Sequence, residues 1–151
     1  MSFSIKRLAL KCAHTLQVFG VKASLEEQKS LMGIALLNND LKVIEKLLED
    51  GNKETTGNFL LQAANVGSPE AVRSILDKLE AVSISVNLSR VINSLGNTAL
   101  HEAAISSSKY SEDIMELLIL KEFRLLEIEN DDWRTPLHVA AYGNYKHVDY
   151  Y

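Results

Sequence analysis

The chain contains two copies of one seven-residue motif, and these copies limit what it can fold into. Residues 98–104 read Thr-Ala-Leu-His-Glu-Ala-Ala, and residues 135–141 read Thr-Pro-Leu-His-Val-Ala-Ala. In each copy the threonine can cap the free N–H groups at the start of a helix. Pro136 suits the first helical turn, where its missing N–H costs nothing. The paired alanines let a second helix approach closely, so the motif predicts helices packed one against the next.

Two weaker copies of the motif precede these. Aligning all four places the first alanine of each pair at residues 35, 63, 103 and 140, with spacings of 28, 40 and 37 residues. Gly33 and Leu61 stand where the later copies have histidine. Self-similarity at a spacing of 20 to 50 residues indicates an array of stacked structural units.

The pattern resembles the ankyrin repeat, strongly from residue 93 onward and moderately from residue 30. The resemblance implies an all-α repeat solenoid, in which stacked helix-turn-helix units are joined by β-hairpin connections. The expected units are an N-terminal helical cap (1–29), a degenerate first repeat (30–57), a second repeat with a long connection (58–92), a third repeat (93–129) and an incomplete fourth repeat (130–151).

Local signals add detail to this arrangement. Ser24 with Glu27 forms a capping-box pattern that starts a helix, and residues 38–40 read Asn-Asn-Asp, a turn between two helices. Between residues 79 and 93 the pattern changes, since apolar and polar residues alternate from residue 82 to residue 88, which predicts a lengthened β-hairpin connection. The alternating apolar residues are Val82, Ile84, Val86 and Leu88.

The N-terminal segment is basic. Residues 1–25 hold four of the 16 lysines and arginines and none of the 20 carboxylates, which leaves the remaining 126 residues with a charge of −8. One interpretation is a capping helix with a cationic polar face; the other is a targeting presequence, which would direct the protein to an organelle. The apolar residues recur at helical spacing, at Ile5, Leu8, Cys12, Leu16 and Phe19.

The fourth repeat stops early. Residues 147–151 supply only the first turn of its expected second helix, which leaves its apolar side uncovered. The favoured interpretation is a fragment of a longer protein whose further repeats pack on this face. The alternative is that a partner covers it.

Composition and motifs argue against catalysis. A hydrophobic content of 46% without a membrane-length apolar run indicates a globular chain, and the net charge of −4 disfavours nucleic-acid binding. Cys12 is the one cysteine, which favours a reducing, cytoplasmic setting. His101 and Glu102 begin like a zinc-protease helix, but Ile105 occupies the place of the second histidine. We therefore expect no enzyme activity, no metal and no cofactor.

The resemblance implies a non-catalytic scaffold that binds another protein through its concave face and hairpin tips. From the charge of these tips, we expect that acidic side chains steer a basic partner. The alternative is the targeting or regulatory arm of a larger enzyme, channel or bacterial effector whose active domain lies outside this chain. The residues expected to hold neighbouring repeats together are Thr98, His101, Ala103, Ala104, Thr135, Pro136, His138, Ala140 and Ala141. The residues expected to contact the partner are Leu95, Asn97, Ile105, Asp131, Asp132, Trp133, Arg134 and Tyr142, with Thr55, Asn65 and Ser94 at matching positions.

Overall fold

A computed structural model describes residues 24–82 and 86–148. Within these ranges the chain forms α-helices and short 3₁₀ helices, with no β-strand. The 3₁₀ helices span Leu88–Arg90 and Phe123–Glu127. The α-helices are α1 (Leu25–Leu37), α2 (Leu41–Asp50), α3 (Lys53–Val66), α4 (Pro69–Val82), α5 (Ala99–Ile105), α6 (Ser111–Lys121) and α7 (Pro136–Val148).

The helices form pairs that stack in a row. Repeat 1 consists of α1 and α2, repeat 2 of α3 and α4, and repeat 3 of α5 and α6, while α7 opens repeat 4. Among the first helices, α3 contacts α1 and α5, and α5 contacts α7. Among the second helices, α4 contacts α2 and α6. The predicted all-α repeat solenoid is therefore confirmed.

One apolar core runs through the stack of described residues, and small side chains set its spacing. Ala35, Ala63, Ala64 and Ala103 are at most 1% exposed. A methyl side chain keeps two helices close, so the branched side chains of the next row can fill the space between them. Burying each large apolar side chain contributes about 1.5–3 kcal/mol.

Caps and turns follow the local sequence signals. Ser24 Oγ accepts the backbone N–H of Glu27, and the Glu27 carboxylate accepts the N–H of Ser24, both at 3.2 Å. The chain then turns at Asn39 after α1 and at Gly67 after α3, both with positive φ, 51° and 86°. A Cβ at Gly67 would lie 2.0 Å from the Cβ of Ser108, so glycine is required where the loop before α6 crosses this turn.

The predicted β-hairpin between residues 79 and 93 is wrong for the described residues. Val82 is the last residue of α4, and Leu88 begins a 3₁₀ helix with its side chain buried. The Glu122 carboxylate accepts hydrogen bonds from the Leu88 N–H at 2.6 Å and the Ser89 hydroxyl at 2.8 Å. These bonds satisfy groups that a hairpin would have paired, so the alternating pattern does not produce strands. Ile84 lies outside the described residues.

The first helices of repeats 1 and 2 begin before the motif. The expected boundaries at residues 29 and 57 fall inside α1 and α3. Asn52 caps α3 by accepting the N–H of Thr55 at 2.9 Å, so residues 53–58 are helical where repeat 3 has a loop. Thr55 is buried in this helix, which corrects its expected place at an exposed hairpin tip.

Two expectations concern the ends of the array. α7 is one helix through Val148, so the second helix expected near residue 147 does not form within the described residues. In repeat 3 the first helix ends at Ile105, whereas α7 continues past the equivalent position, Tyr142, to Val148. Most of the expected N-terminal cap, residues 1–23, lies outside the described residues.

Candidate protein-binding surface

Repeats 3 and 4 each begin with a loop of the same construction, spanning residues 93–98 and 130–135. The Asn93 N–H donates to the Asn97 carbonyl at 3.1 Å, and the Asn130 N–H donates to the Arg134 carbonyl at 2.9 Å. The Oδ1 atom of each leading asparagine accepts two further N–H groups of its own loop at 3.0–3.1 Å. Asparagine forms such turns with its own backbone, which explains why it opens both loops.

The two loops turn through equivalent left-handed residues. Gly96 has φ 74° and Trp133 has φ 61°. A Cβ at Gly96 would lie 2.4 Å from Oδ1 of Asp131, so the neighbouring loop excludes any side chain there. Trp133, at the same point of the next loop, is 80% exposed, so its side chain meets no such obstacle. The turn therefore keeps its shape without glycine, and the tryptophan projects from the tip.

Hydrogen bonds also join the two loops to each other. The Asp131 N–H donates to the Leu95 carbonyl at 3.0 Å, and Asn130 Nδ2 donates to Asn97 Oδ1 at 2.8 Å. The loops of repeats 3 and 4 therefore have a fixed relative position before any partner binds.

A buried carboxylate that the sequence analysis did not select organises this region. Glu102 of α5 accepts hydrogen bonds from the side-chain amides of Asn65 at 2.8 Å, Asn93 at 2.6 Å and Asn97 at 3.2 Å. Charge-assisted bonds of this kind are stronger than neutral ones. The sequence does contain a sign of this role. Glu102 directly follows the motif histidine, and the equivalent residue of repeat 4 is the apolar Val139.

The same network corrects the role expected for Asn97. Its side chain is 3% exposed, and it is bonded to Glu102 on one side and to Asn130 on the other. A partner could reach this amide only by breaking both bonds. Asn97 therefore holds the loops together and is not available as a contact residue.

His101 links repeat 3 to repeat 4. Its Nδ1 accepts the Thr98 N–H at 3.1 Å, so Nε2 carries the proton and donates to the Arg134 carbonyl at 2.8 Å. The ring is fully buried. Burial lowers the pKa of His101 below its ordinary 6.5, against the opposite effects of the Arg134 carbonyl and the Glu102 carboxylate. The neutral ring is the form that this geometry requires.

His138 repeats only half of that arrangement. Its Nδ1 accepts the Thr135 N–H at 3.1 Å and contacts the Thr135 hydroxyl at 2.8 Å. The ring is exposed, and no residue in the described part of the chain accepts a hydrogen bond from its Nε2. The alanines Ala104, Ala140 and Ala141 are less buried than Ala103. Pro136 occupies the first position of α7, as predicted.

The remaining expected contact residues are exposed and lie on the two loops or just after the alanine pairs. Leu95, Asp131 and Asp132 lie on the loops, and Ile105 ends α5. The Arg134 guanidinium lies over the Tyr142 ring, 5.3 Å from its centroid, in a cation–π arrangement.

The position two residues after the first alanine of the motif is exposed in every repeat. It holds Leu37, Asn65, Ile105 and Tyr142 in order along the stack. Ile105 and Tyr142 are among the predicted contact residues and Asn65 lies at a matching position, whereas the sequence does not predict Leu37. Leu37 joins them because it is exposed at the same point of α1.

Comparison with known families agrees with this geometry. A family model described as ankyrin repeats (3 copies) matches the chain over residues 31–124 and again over residues 60–150. The chain belongs to the ankyrin-repeat family. Ankyrin repeats generally mediate protein–protein interaction and are generally not catalytic. Neither a search of curated proteins nor one of solved structures finds a match to this chain.

Within residues 24–82 and 86–148 of this ankyrin array, each helix is too short or too polar to span a membrane. No group of three histidine, cysteine or carboxylate side chains lies close enough together there to hold a metal ion.

Proposed function

We propose that this ankyrin array binds a partner protein through the exposed side chains of repeats 3 and 4. We call this set the loop surface, and it comprises Leu95, Ile105, Trp133, Arg134 and Tyr142. The single observation that carries the proposal is the exposed Trp133 beside the stacked Arg134–Tyr142 pair. Tryptophan, tyrosine and arginine are the residues most enriched at interface hot spots.

The loops that carry these side chains support the proposal. Asn93 and Asn130 fix the loops internally, and the Asp131 N–H joins one loop to the other. A surface that is already ordered loses little conformational entropy on binding, and more of the contact energy then appears as affinity.

Charge indicates the partner's chemistry. The side chains of Glu127, Glu129, Asp131 and Asp132 are exposed along and before the second loop. In a chain with a net charge of −4, this edge attracts a partner segment that carries lysine or arginine next to apolar residues. Such attraction mainly raises the association rate, and added salt reduces this gain because it screens the charges.

The test compares two double variants, W133A/Y142A on the loop surface and L120A/F123A elsewhere. Leu120 and Phe123 are exposed and apolar, so this pair controls for the loss of apolar area as such. Proteins captured by the wild-type chain are identified, and the affinity of each for the three forms is measured by titration. We expect W133A/Y142A to lower the affinity for the true partner by about 30-fold or more, because the loss of one hot spot costs about 2 kcal/mol of binding free energy.

L120A/F123A should bind that partner like the wild type. Equal affinity of all three forms, with unchanged circular dichroism, would remove Trp133 and Tyr142 from the site. Asp131→Asn with Asp132→Asn should lower the association rate and make it less sensitive to salt.

A further inference from the structure

A cleft of about 530 Å³ lies between the first turns of α3 and the segment that leads into the loop of repeat 3. Lys53, Glu54 and Gly57 form one wall, and Arg90, Val91 and Ile92 form the other. Its volume is in the range of ordinary ligand sites, about 300–1,000 Å³. It contains none of the residues of the loop surface.

The cleft exists because repeat 2 has no loop to place there. In repeats 3 and 4 the loops lie side by side and are joined by the Asp131 N–H and the Leu95 carbonyl. In repeat 2 the equivalent residues 53–58 are wound into α3. The loop of repeat 3 therefore has a neighbouring loop on its repeat 4 side and a cleft on its repeat 2 side.

The wall toward repeat 3 has free backbone bonding capacity at Ile92, whereas the N–H groups of Val91 and Asn93 donate to the carbonyls of Leu88 and Asn97. Val91 has φ −85° and ψ 95°, in the β region. Among the described residues, no group bonds the backbone N–H or carbonyl of Ile92, and its side chain is 49% exposed. An extended peptide can pair with such a backbone and place an apolar side chain against isoleucine.

The two walls of the cleft meet at Gly57. A Cβ there would lie 3.0 Å from Cγ1 of Val91, so the absence of a side chain lets Val91 pack directly on α3. The space for the peptide is bordered by Lys53 and Glu54 on one wall and by Arg90 and Ile92 on the other.

Charge indicates which peptide fits. Lys53 and Arg90 are exposed and form no ion pair within the described residues, while Glu54 is the one carboxylate in the lining. The cleft therefore has a net positive charge in a chain whose net charge is −4. Two cations on facing walls attract a ligand with carboxylates at both edges.

We propose that this cleft binds an extended acidic peptide segment of a partner protein, which takes the place of the loop that repeat 2 lacks. Its backbone pairs with the N–H and carbonyl of Ile92, its apolar side chain contacts the Ile92 side chain, and its carboxylates bind Lys53 and Arg90. This is a second site, with the opposite charge preference from the loop surface, so one partner or two can occupy them independently.

The experiment selects peptides from a displayed library of random 12-residue sequences on the wild-type chain, residues 1–151. Enriched peptides are synthesised with a fluorophore, and their binding is measured by anisotropy to the wild type and to K53E/R90E. The matched control is K42E/R73E, which makes the same charge change at exposed positions of α2 and α4 outside the cleft. A third form, W133A/Y142A, separates this site from the loop surface.

We expect enriched peptides with net negative charge and an affinity about tenfold lower for K53E/R90E. K42E/R73E and W133A/Y142A should bind them like the wild type. Ile92→Ser should weaken binding without changing its salt dependence, which tests the apolar contact separately.

The proposal would be overturned by enrichment of neutral or basic peptides only, by no enrichment at all, or by equal weakening of binding in K53E/R90E and K42E/R73E. Circular dichroism and thermal unfolding of each form establish that the fold is retained. Loss of binding in W133A/Y142A alone would assign the peptides to the loop surface and reject the cleft as their site.

Discussion

Repeats 3 and 4 contain nearly the same motif in different surroundings. Leu100 and His101 in repeat 3 are covered on one side by repeat 2 and on the other by α7. Leu137 and His138 occupy the same motif positions in repeat 4, but Leu137 is 73% exposed and His138 is exposed. The cap geometry at the helix start is nevertheless the same in both.

This comparison separates what the motif does locally from what it does between repeats. The Thr98–His101 and Thr135–His138 bonds form in both settings, at 2.8–3.1 Å. The bond from the histidine Nε2 to the next repeat and the burial of the leucine depend on a neighbour. The motif therefore starts a helix by itself, and it adds stacking energy only when another repeat follows.

The largest expected difference is between Leu100→Ala and Leu137→Ala. Leu100 is 1% exposed, so its truncation leaves a cavity and should lower the free energy of unfolding by about 2–5 kcal/mol. Leu137 is largely in solvent, so the change should stay within about 0.5 kcal/mol. Urea unfolding followed by circular dichroism measures both values. Equal losses at low protein concentration would mean that Leu137 is covered in solution, which contradicts the comparison.

The second difference is between His101→Ala and His138→Ala. The first change removes the donor to the Arg134 carbonyl and the acceptor of the Thr98 N–H, so we expect a loss of about 2–3 kcal/mol. The second removes only the local bonds to Thr135, with an expected loss below about 1 kcal/mol. The same urea titrations apply. If His138→Ala cost as much as His101→Ala, the link between repeats would not be the source of the effect.

The smallest expected difference is in pH dependence. The pKa of His101 is lowered in the folded state, chiefly because burial disfavours the charged ring. Below pH 6.5 the unfolded chain therefore binds more protons at this residue, and stability declines as the pH falls through the folded-state pKa. Protonation of Nδ1 would also remove the acceptor of the Thr98 N–H.

The measurement is the midpoint of thermal unfolding between pH 8 and pH 5 for the wild type, H101Q and H138Q. The unfolding midpoint of H101Q should be lower than that of the wild type at pH 8 and should fall less steeply as the pH decreases. The midpoint of H138Q should follow the wild-type curve. Parallel curves for all three forms would exclude His101 as a source of the acid sensitivity.

The sequence predicted the parts of the fold that depend on neighbouring residues. The capping box at Ser24, the helix that Pro136 begins and the turn at Asn39 each need only a few adjacent residues. The start of α3 was predicted too late, although Asn52 is a good cap. The spacing of the alanines defines the repeat register, but it does not define where each first helix begins, so it does not show that α3 starts at Lys53.

The candidate site was less predictable because stacking creates it. Glu102 and Asn65 are 37 residues apart and meet only when α3 and α5 pack together. Asn97 and Leu95 lie in the same loop, yet one is buried and the other exposed. The neighbouring loop of repeat 4 determines which of these two side chains faces the solvent. The periodicity of the sequence contains no information about that contact.

The amide and carboxylate series from Asn65 through Glu102 and Asn97 to Asn130 has a mechanical consequence. A hydrogen bond is lost when its atoms separate by about an ångström, whereas apolar contact area shrinks gradually as helices slide. Bending that opens the loops against one another must break these polar bonds first. This edge of the array is therefore its stiff edge, and deformation under load concentrates where the helices touch only through hydrocarbon.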